Sequence, residues 1–168
     1  MSLTLREATD ADLPAIARFV RALADYERLA HQAVAAEADF AAALFGTPRR
    51  AGCLIAERGG AAAGFALHHR TFSTFLGKPG RRLEDLWVEP ACRRRGIARA
   101  LFARLSADTI AEGGARLAWN VLDRNRPAIA AYDAMGADAL TDWTMRRPGG
   151  AALHTLAAEA RRWPNPST

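Results

Sequence analysis

Cysteine is scarce in this chain, and long apolar runs are missing. Only Cys53 and Cys92 are present among 168 residues, without a C-x-x-C motif. Two such thiols indicate a reducing compartment rather than a disulfide framework, and we therefore expect a cytoplasmic protein. The first residues, MSLTLREATDAD, contain no basic leader followed by an apolar segment, so we expect no secretory signal. No stretch of about 18 uninterrupted apolar residues occurs, so we expect no segment that spans a membrane.

The sequence also has no recognisable metal or nucleophile motif. His31 and His154 are isolated, and His68-His69 are neighbours on a predicted strand, so at most one of these two points into a site. No pair of histidines has the spacing of metal ligands, and no Ser-His-Asp or Cys-His pattern is present. We therefore expect no bound metal.

Charge and composition describe a globular protein with an anionic partner. Half of the residues are hydrophobic and 24% are charged, which is typical of a globular domain. We expect a single domain over residues 1–162 and a loose tail over residues 163–168. The 23 basic residues exceed the 18 acidic residues, giving a net charge of +5. This excess favours a nucleic acid, a membrane surface or a phosphorylated cofactor.

Strand and helix patterns interleave along the chain. Strands are predicted over LTLREA, over CLIAERGGAAAGFALHHRTF as a hairpin turning at Gly59-Gly60, and over RRLEDLWVEP, ARLAWNVL and WTMRR. Helices are predicted over TDADLPAIARFVRALADYERLA, EADFAAALFG, GIARALFARLSADTIAEGG, NRPAIAAYDAMGA and GGAALHTLAAEARRW. Such an order predicts an α/β fold with a mixed sheet covered on both faces.

The segment LEDLWVEPACRRRGIARAL reads as a strand, a short loop and a helix start. A helix start has unpaired N–H groups and the positive end of the helix dipole, which together attract anions. Gly96 and the small Ala98 would let a phosphate approach the backbone, and Arg93 to Arg95 would add charge and forked donors. Neither a Walker loop nor G-x-G-x-x-G is present. The segment predicts a pyrophosphate site.

RRRGIA at residues 93–98 resembles the R/Q-x-x-G-x-G/A signature of the GNAT superfamily of N-acetyltransferases. LREATDADLPAIARFVRALADYERLAHQ, FSTFLGKPGRRLEDLWVEP and NRPAIAAYDAMGA are similar to blocks of its diamine and thialysine acetyltransferase branch, in the same order. The resemblance implies a mostly antiparallel sheet of six to seven strands flanked by helices, and acetyl-CoA as co-substrate. The cofactor-binding positions that it implies are Leu86, Trp87, Val88, Arg93, Arg94, Arg95, Gly96, Ile97, Ala98, Arg99, Asn125, Pro127 and Ala128.

Acetyl transfer to an amine requires removal of a proton from the amine. An alkyl ammonium with a pKa near 10.4 is neutral in only roughly one molecule in two thousand at pH 7. The resemblance assigns Tyr132 as the acid for the leaving thiolate and Glu84 as the acceptor of the amine proton. Glu84 and Asp85 lie side by side in an apolar strand and must face opposite ways, so which of them accepts the proton stays open.

The resemblance also implies an acceptor site and a homodimer formed through WTMRR and the last helix. It places Tyr26, Glu27 and Glu84 at substrate-binding positions. Trp119 and Asn120 on the next predicted strand are candidates for a wall of the same site, although ordinary core packing is the better explanation for Trp119. Two features depart from a polyamine site: Arg81 and Arg82 precede the acids, and Ser73 stands where the branch often has an acidic residue. A small amine that carries its own carboxylate, such as a lysine analogue, fits these basic neighbours better.

Three other functions stay open at this point. A nucleic-acid-binding protein would account for the basic charge, but no continuous basic stripe, helix-turn-helix or zinc signature supports it. A non-catalytic acyl-CoA-binding protein would keep the loop and lose the chemistry. A protein or antibiotic amine would be acetylated by the same chemistry as a small amine.

Overall fold

The computed structural model describes residues 2–163, and it divides the chain into two compact units, Met1–Ala128 and Ile129–Thr168. In chain order the elements are β1 (Leu3–Glu7), α1 (Leu13–Tyr26), α2 (Glu37–Phe45), β2 (Gly52–Arg58), β3 (Ala61–Ser73), β4 (Lys78–Val88), α3 (Ile97–Ala111), β5 (Leu117–Ala118), α4 (Arg126–Asp133) and α5 (Gly150–Glu159).

One sheet organises the first unit. Its strands lie in the order β1-β2-β3-β4-β5, and every neighbouring pair is antiparallel except β4 and β5, which run parallel. The predicted hairpin turn is present at Gly59-Gly60, where both residues have positive φ angles of 61° and 79°. The predicted mixed, mostly antiparallel sheet is confirmed.

The predicted count of six to seven strands is wrong, because the described sheet has five. The segment WTMRR at residues 143–147 does not form a strand, and ARLAWNVL is a strand only over Leu117–Ala118. Alternating polarity shows which way side chains face but supplies no partner for the backbone. A strand forms only where a sheet edge offers hydrogen bonds, and β5 pairs with β4 over just two positions, Arg81 and Arg82.

The start of α1 is held by a charged network. Asp12 accepts hydrogen bonds from the Thr9 backbone N–H at 2.8 Å and from Arg6 at 2.7 and 2.8 Å. The hydrogen bonds from Arg6 lower the pKa of the Asp12 carboxyl to about 2. Arg6 also donates to Glu57 of β2 at 2.6 Å, so one guanidinium joins β1, β2 and the start of α1. Pro14 fits the first turn, where no N–H is needed.

Apolar residues are buried on both faces of the sheet. Ile16 and Phe19 of α1 pack against Ile55 and Phe65 on one face, with the Phe19 and Phe65 rings stacked 5.5 Å apart. α3 packs on the other face, where its Leu101 and other apolar side chains are buried. The prediction that helices cover both faces is confirmed.

A β-bulge in β4 sets the directions of the acidic residues. Leu67 of β3 pairs with Asp85 and the next residue, His68, pairs with Leu83, so Glu84 is the extra residue. Asp85 therefore lies on the same face of the sheet as Trp87, which is the face that α1 covers. Glu84 remains exposed.

Three polar side chains join the end of α3 to the sheet. The buried Arg81 guanidinium donates to Glu112 at 2.6 Å and to Nδ1 of His68 at 3.1 Å. Because arginine has no acceptor, His68 accepts at Nδ1 and is neutral with its proton on Nε2. Burial, helped by the charge of Arg81, lowers the pKa of His68 to about 4.

The second unit contains the end of α4 and all of α5. α4 ends before Gly136, whose φ of 79° is the left-handed value expected of a helix-terminating glycine. Of the predicted tail, residues 164–168 lie outside the described part of the chain. Within residues 2–163, the helices are all too short or too polar to cross a bilayer.

Candidate active site

The loop between β4 and α3 exposes unpaired backbone donors. After a 3-10 turn at Pro90–Cys92 the chain passes through Arg94 and Gly96, both left-handed with φ of 58° and 79°. The first backbone N–H of α3 that donates a hydrogen bond is that of Ala100, which bonds to the Gly96 carbonyl at 2.9 Å. Within the described residues, the N–H groups of residues 96–99 have no backbone partner, as expected at a helix start.

The same loop carries uncompensated positive charge. The predicted phosphate-binding arginines, Arg93, Arg94, Arg95 and Arg99, are exposed, and among residues 2–163 none of them forms an ion pair with a carboxylate. A β-carbon placed on Gly96 would have no atom within 4 Å, so this side of the loop is open. Free N–H groups, guanidinium charge and open space together suit a diphosphate.

Arg93 connects this loop to the end of α1. Its guanidinium lies 4.6 Å from the centre of the Trp87 ring and 5.3 Å from that of Tyr26, and its Nε donates to the Val88 carbonyl at 3.0 Å. The Tyr26 and Trp87 rings meet edge to face at 5.9 Å. Cation–π contacts therefore fix Arg93 and the predicted acceptor residue Tyr26 together.

The end of β4 has a free edge. β5 pairs with Arg81 and Arg82 only, so on that side no strand of the described residues pairs with the last part of β4. The Trp87 carbonyl points the other way, toward β3, since a β-carbon on Gly64 would lie 2.6 Å from it. Carbonyls alternate along a strand, and those of Leu86 and Val88 therefore face the free edge, where the Val88 carbonyl already accepts one hydrogen bond from Arg93. An extended ligand with amide groups can hydrogen-bond there.

An acidic cavity lies at the C-terminal end of α1. It measures about 150 Å³ and is lined by Val20, Leu23, Ala24, Glu27, Leu29, Gln32, Ala33 and Asp85. Burial raises the pKa of Asp85 to about 6, and the charges of Glu84 and Glu27 act in the same direction. Burial also raises the pKa of Glu27, with partial opposition from Arg124. Two carboxylates in these surroundings favour a bound cation.

Glu27 also lines a second, larger cavity. This cavity measures about 390 Å³, and its walls are Tyr26, Glu27, Arg28, Leu122, Arg124, Asn125 and Pro127. Arg124 donates to the backbone carbonyl of Glu27 at 2.6 Å. The predicted cofactor residues Asn125 and Pro127 thus lie beside the predicted acceptor residues Tyr26 and Glu27.

Comparison with known proteins identifies the family. Residues 16–137, most of the chain, match the Acetyltransferase (GNAT) family. The chain belongs to the GNAT family. It is accordingly an acetyl-CoA-dependent N-acetyltransferase.

Individual relatives agree with this family. Thialysine N-epsilon-acetyltransferase of Bos taurus is 32% identical over 166 residues, covering 92% of this chain and 97% of the relative. L-ornithine N5-acetyltransferase NATA1 of Arabidopsis thaliana is 33% identical over 94 residues, covering 56% of this chain and 41% of the relative. An integron cassette protein of V. cholerae has the same fold, with a TM-score of 0.77 and 23% identity over 94% of this chain and 98% of that one.

The residues of this GNAT enzyme fit its co-substrate. The open loop at Gly96, with its unpaired N–H groups, is suited to the diphosphate of acetyl-CoA, and the free edge at Leu86 and Val88 to an amide-bearing arm. Acetyl-CoA supplies the activated acetyl group. The chain supplies binding, orientation and proton transfer.

The two adjacent acids of β4 have different surroundings. Glu84, the predicted proton acceptor, is exposed, with its Oε2 3.6 Å from Nε of Arg82 and 3.7 Å from Nε2 of His69. Asp85 lines the acidic cavity instead. The sequence assigned the role of proton acceptor to Glu84 and kept Asp85 only as the alternative. Asp85 lies two residues before Trp87, and strand residues two apart share a face. This spacing was the signal in the sequence that could have placed Asp85 on the face of Trp87.

The remaining predicted residues lie in or next to β5 and α4. Trp119 follows β5 and packs on Phe102 of α3, with ring centres 4.7 Å apart, and the adjacent Asn120 is exposed. Ala128 lies in the first turn of α4, where its N–H bonds to the Asn125 carbonyl at 3.1 Å. Tyr132 lies on α4 and is half-buried. Among residues 2–163, His, Cys, Asp and Glu side chains form no group able to hold a metal ion.

Proposed function

We propose that this enzyme acetylates the side-chain amine of a small amino acid of the lysine-analogue or ornithine type, by direct attack of the amine on acetyl-CoA. The observation that carries the proposal is the Glu27–Asp85 pair in the acidic cavity. In the described residues neither carboxylate forms an ion pair with a basic side chain. The acceptor's ammonium group is the cation that they fit.

Proton transfer is divided between two side chains in this proposal. Asp85 accepts the proton of the bound amine, since its raised pKa makes it a better base than an ordinary aspartate. Glu84 is the alternative base, acting through water from its exposed position. Tyr132 gives a proton to the departing sulfur, as the resemblance implies. No covalent intermediate with the enzyme is needed.

The basic residues that favour a carboxylate-bearing acceptor differ from those expected from the sequence. Arg81 is buried and bonded to His68 and Glu112, so it does not lie beside the acceptor acids. Arg82 lies 3.6 Å from Oε2 of the exposed Glu84 but does not line the acidic cavity. Arg28 and Arg124 line the larger cavity instead. A substrate with an ammonium group at one end and a carboxylate at the other matches acids and guanidinium groups on adjoining walls.

The test is a thiol-release assay with acetyl-CoA over a panel of amines. The panel contains thialysine, ornithine, lysine, putrescine, spermidine, an aminoglycoside and a lysine-containing peptide, and mass spectrometry identifies the acetylated nitrogen. We expect turnover to be fastest for an amino acid and to occur on its side-chain nitrogen. Turnover of spermidine alone would contradict the proposal, and acetyl-CoA binding without turnover of any amine would indicate a non-catalytic binder.

Two further expectations come from the sequence, one from the resemblance and one from the scarcity of cysteine. We expect a homodimer, which light scattering of the purified protein tests directly. We also expect a cytoplasmic location, which imaging or fractionation of the expressing cell tests.

A further inference from the structure

Arg28 occupies a backbone position that favours glycine. Its N–H bonds to the Asp25 carbonyl at 3.0 Å, and the N–H of Leu29 bonds to the Ala24 carbonyl at 2.8 Å. These two bonds form a Schellman motif that ends α1, with Arg28 at the left-handed residue, where φ is 59°. Glycine takes this conformation freely, whereas a residue with a β-carbon is strained in it. Helix termination therefore gives no reason for an arginine here.

The Arg28 side chain is also available for a ligand. It is exposed on the wall of the 390 Å³ cavity, and among residues 2–163 it forms no ion pair or side-chain hydrogen bond. Arg124 on the same wall differs, because one of its nitrogens is bonded to the Glu27 carbonyl at 2.6 Å. Asn125 adds an amide to this wall. The larger cavity therefore has a basic and polar wall, and the Arg28 guanidinium on this wall is free to bind an anionic group.

Glu27 connects this basic wall with the acidic cavity, since it lines both. A ligand that crosses from one cavity to the other meets two carboxylates at one end and two guanidinium groups at the other. An amino acid with a basic side chain has matching charges at its two ends. A diamine of the same length brings a second ammonium group toward Arg28 and Arg124, where like charges repel.

We propose that Arg28 binds the carboxylate of the acceptor and makes the enzyme select amino acids over diamines. The proposal rests on the proposed function, of which it names the specificity-determining residue. A guanidinium group suits this role because its forked donors match the two oxygens of a carboxylate.

The test compares two acceptors that differ only in the carboxylate: thialysine and its decarboxylated counterpart, bis(2-aminoethyl) sulfide. kcat/KM is measured for both with the wild type, Arg28→Gly, Arg28→Lys and Arg21→Gln. Arg21 is an exposed arginine of α1 and serves as the control for loss of one charge. Because glycine relieves the strain at this position, Arg28→Gly should melt at the wild-type temperature or above it, so loss of folding will not obscure the kinetics.

We expect the wild type to prefer thialysine. Arg28→Gly should lower the ratio of the two kcat/KM values by about tenfold or more, since a charge-assisted hydrogen bond is lost. Arg28→Lys should restore part of the preference, and Arg21→Gln should match the wild type. An unchanged ratio in Arg28→Gly, or an equal loss on both acceptors, overturns the role of Arg28 while leaving the acetyltransferase activity established. A wild type that acetylates no amine at all overturns the proposed function, and the role of Arg28 with it.

Discussion

Glu27 at the end of α1 and Asp85 on β4 line one cavity of about 150 Å³, and the charge of Glu27 contributes to raising the pKa of Asp85 to about 6. Burial is the larger cause of this shift. The two residues are 58 positions apart in the sequence and meet because α1 packs on the sheet face that Asp85 shares with Trp87. A protein that holds two carboxylates in this way loses stability at neutral pH unless a cation binds.

Replacing Asp85 with Asn should stabilise the protein and abolish most of its activity. The folded protein binds a proton at Asp85 more tightly than the unfolded chain, so the stability that this group contributes at low pH is lost as pH rises from about 4 to about 6. Above pH 6 the free energy of unfolding of Asp85→Asn should exceed that of the wild type by about 1–3 kcal/mol, which is seen as a higher Tm. Turnover should fall about 100-fold or more if Asp85 is the base.

Glu84→Gln is the matched control for this substitution. Glu84 is exposed, and we expect little change in Tm and a smaller loss of turnover. A larger loss of turnover in Glu84→Gln than in Asp85→Asn would make Glu84 the base.

The pH dependence of kcat/KM should report the ionisation of Asp85. Below about pH 6 Asp85 takes up a proton and can neither hold an ammonium group nor accept its proton, so kcat/KM should fall with falling pH. Above this value the profile should be flat until the free amine loses its own proton, near pH 10 for an alkylamine. Stopped assays across pH 5 to about 10 measure this profile. The break near pH 6 should disappear in Asp85→Asn, and a break that persists there excludes Asp85 as its source.

Substitution of Gly96 should weaken acetyl-CoA binding, and Gly113 provides a close control. Gly96 has φ of 79° and Gly113 has φ of 73°, and a β-carbon on either would contact no other atom within 4 Å. Alanine at either position should therefore cost a similar ~1 kcal/mol of stability through backbone strain. Only Gly96→Ala should raise the Kd for acetyl-CoA, by about tenfold, because its methyl group stands on the open side of the loop. Isothermal titration calorimetry measures this difference. Equal Kd values for acetyl-CoA in the two variants would show that the loop is not part of the cofactor site.

Tyr132→Phe should separate chemistry from binding. Loss of the phenol proton should lower kcat by about 10²- to 10⁴-fold, the usual contribution of a general acid, while the Kd for acetyl-CoA stays near the wild-type value. The chain has two tyrosines, and Tyr26→Phe is the natural comparison. That variant keeps the ring contacts with Trp87 and Arg93 and loses only the hydroxyl group. Because Tyr26 is a predicted acceptor-binding residue, we expect a change mainly in KM for the acceptor. Wild-type turnover in Tyr132→Phe would dismiss this residue as the acid.

Local features of the fold were readable from the residues alone. The loop around Gly96, the hairpin at Gly59-Gly60 and the start of α1 each depend on neighbours within a few positions, so their patterns carry the information directly. The GNAT signature at residues 93–98 belongs to this class, because its donors are the backbone of one turn. The residues of this loop could therefore predict an anion site, and the resemblance of residues 93–98 to the GNAT signature implied the kind of reaction.

Features that depend on distant partners were not readable in this way. WTMRR has a strand-like pattern and forms no strand, since backbone pairing requires an edge that the pattern does not contain. The bulge at Glu84 puts Leu83 and Asp85 on opposite faces of the sheet, although strand residues two apart normally share a face, and it arises from the register between β3 and β4. Arg81 was expected beside the acceptor and is bonded to His68 and Glu112. In each case side-chain direction and burial follow from contacts between elements far apart in the chain, and residue type alone does not encode them.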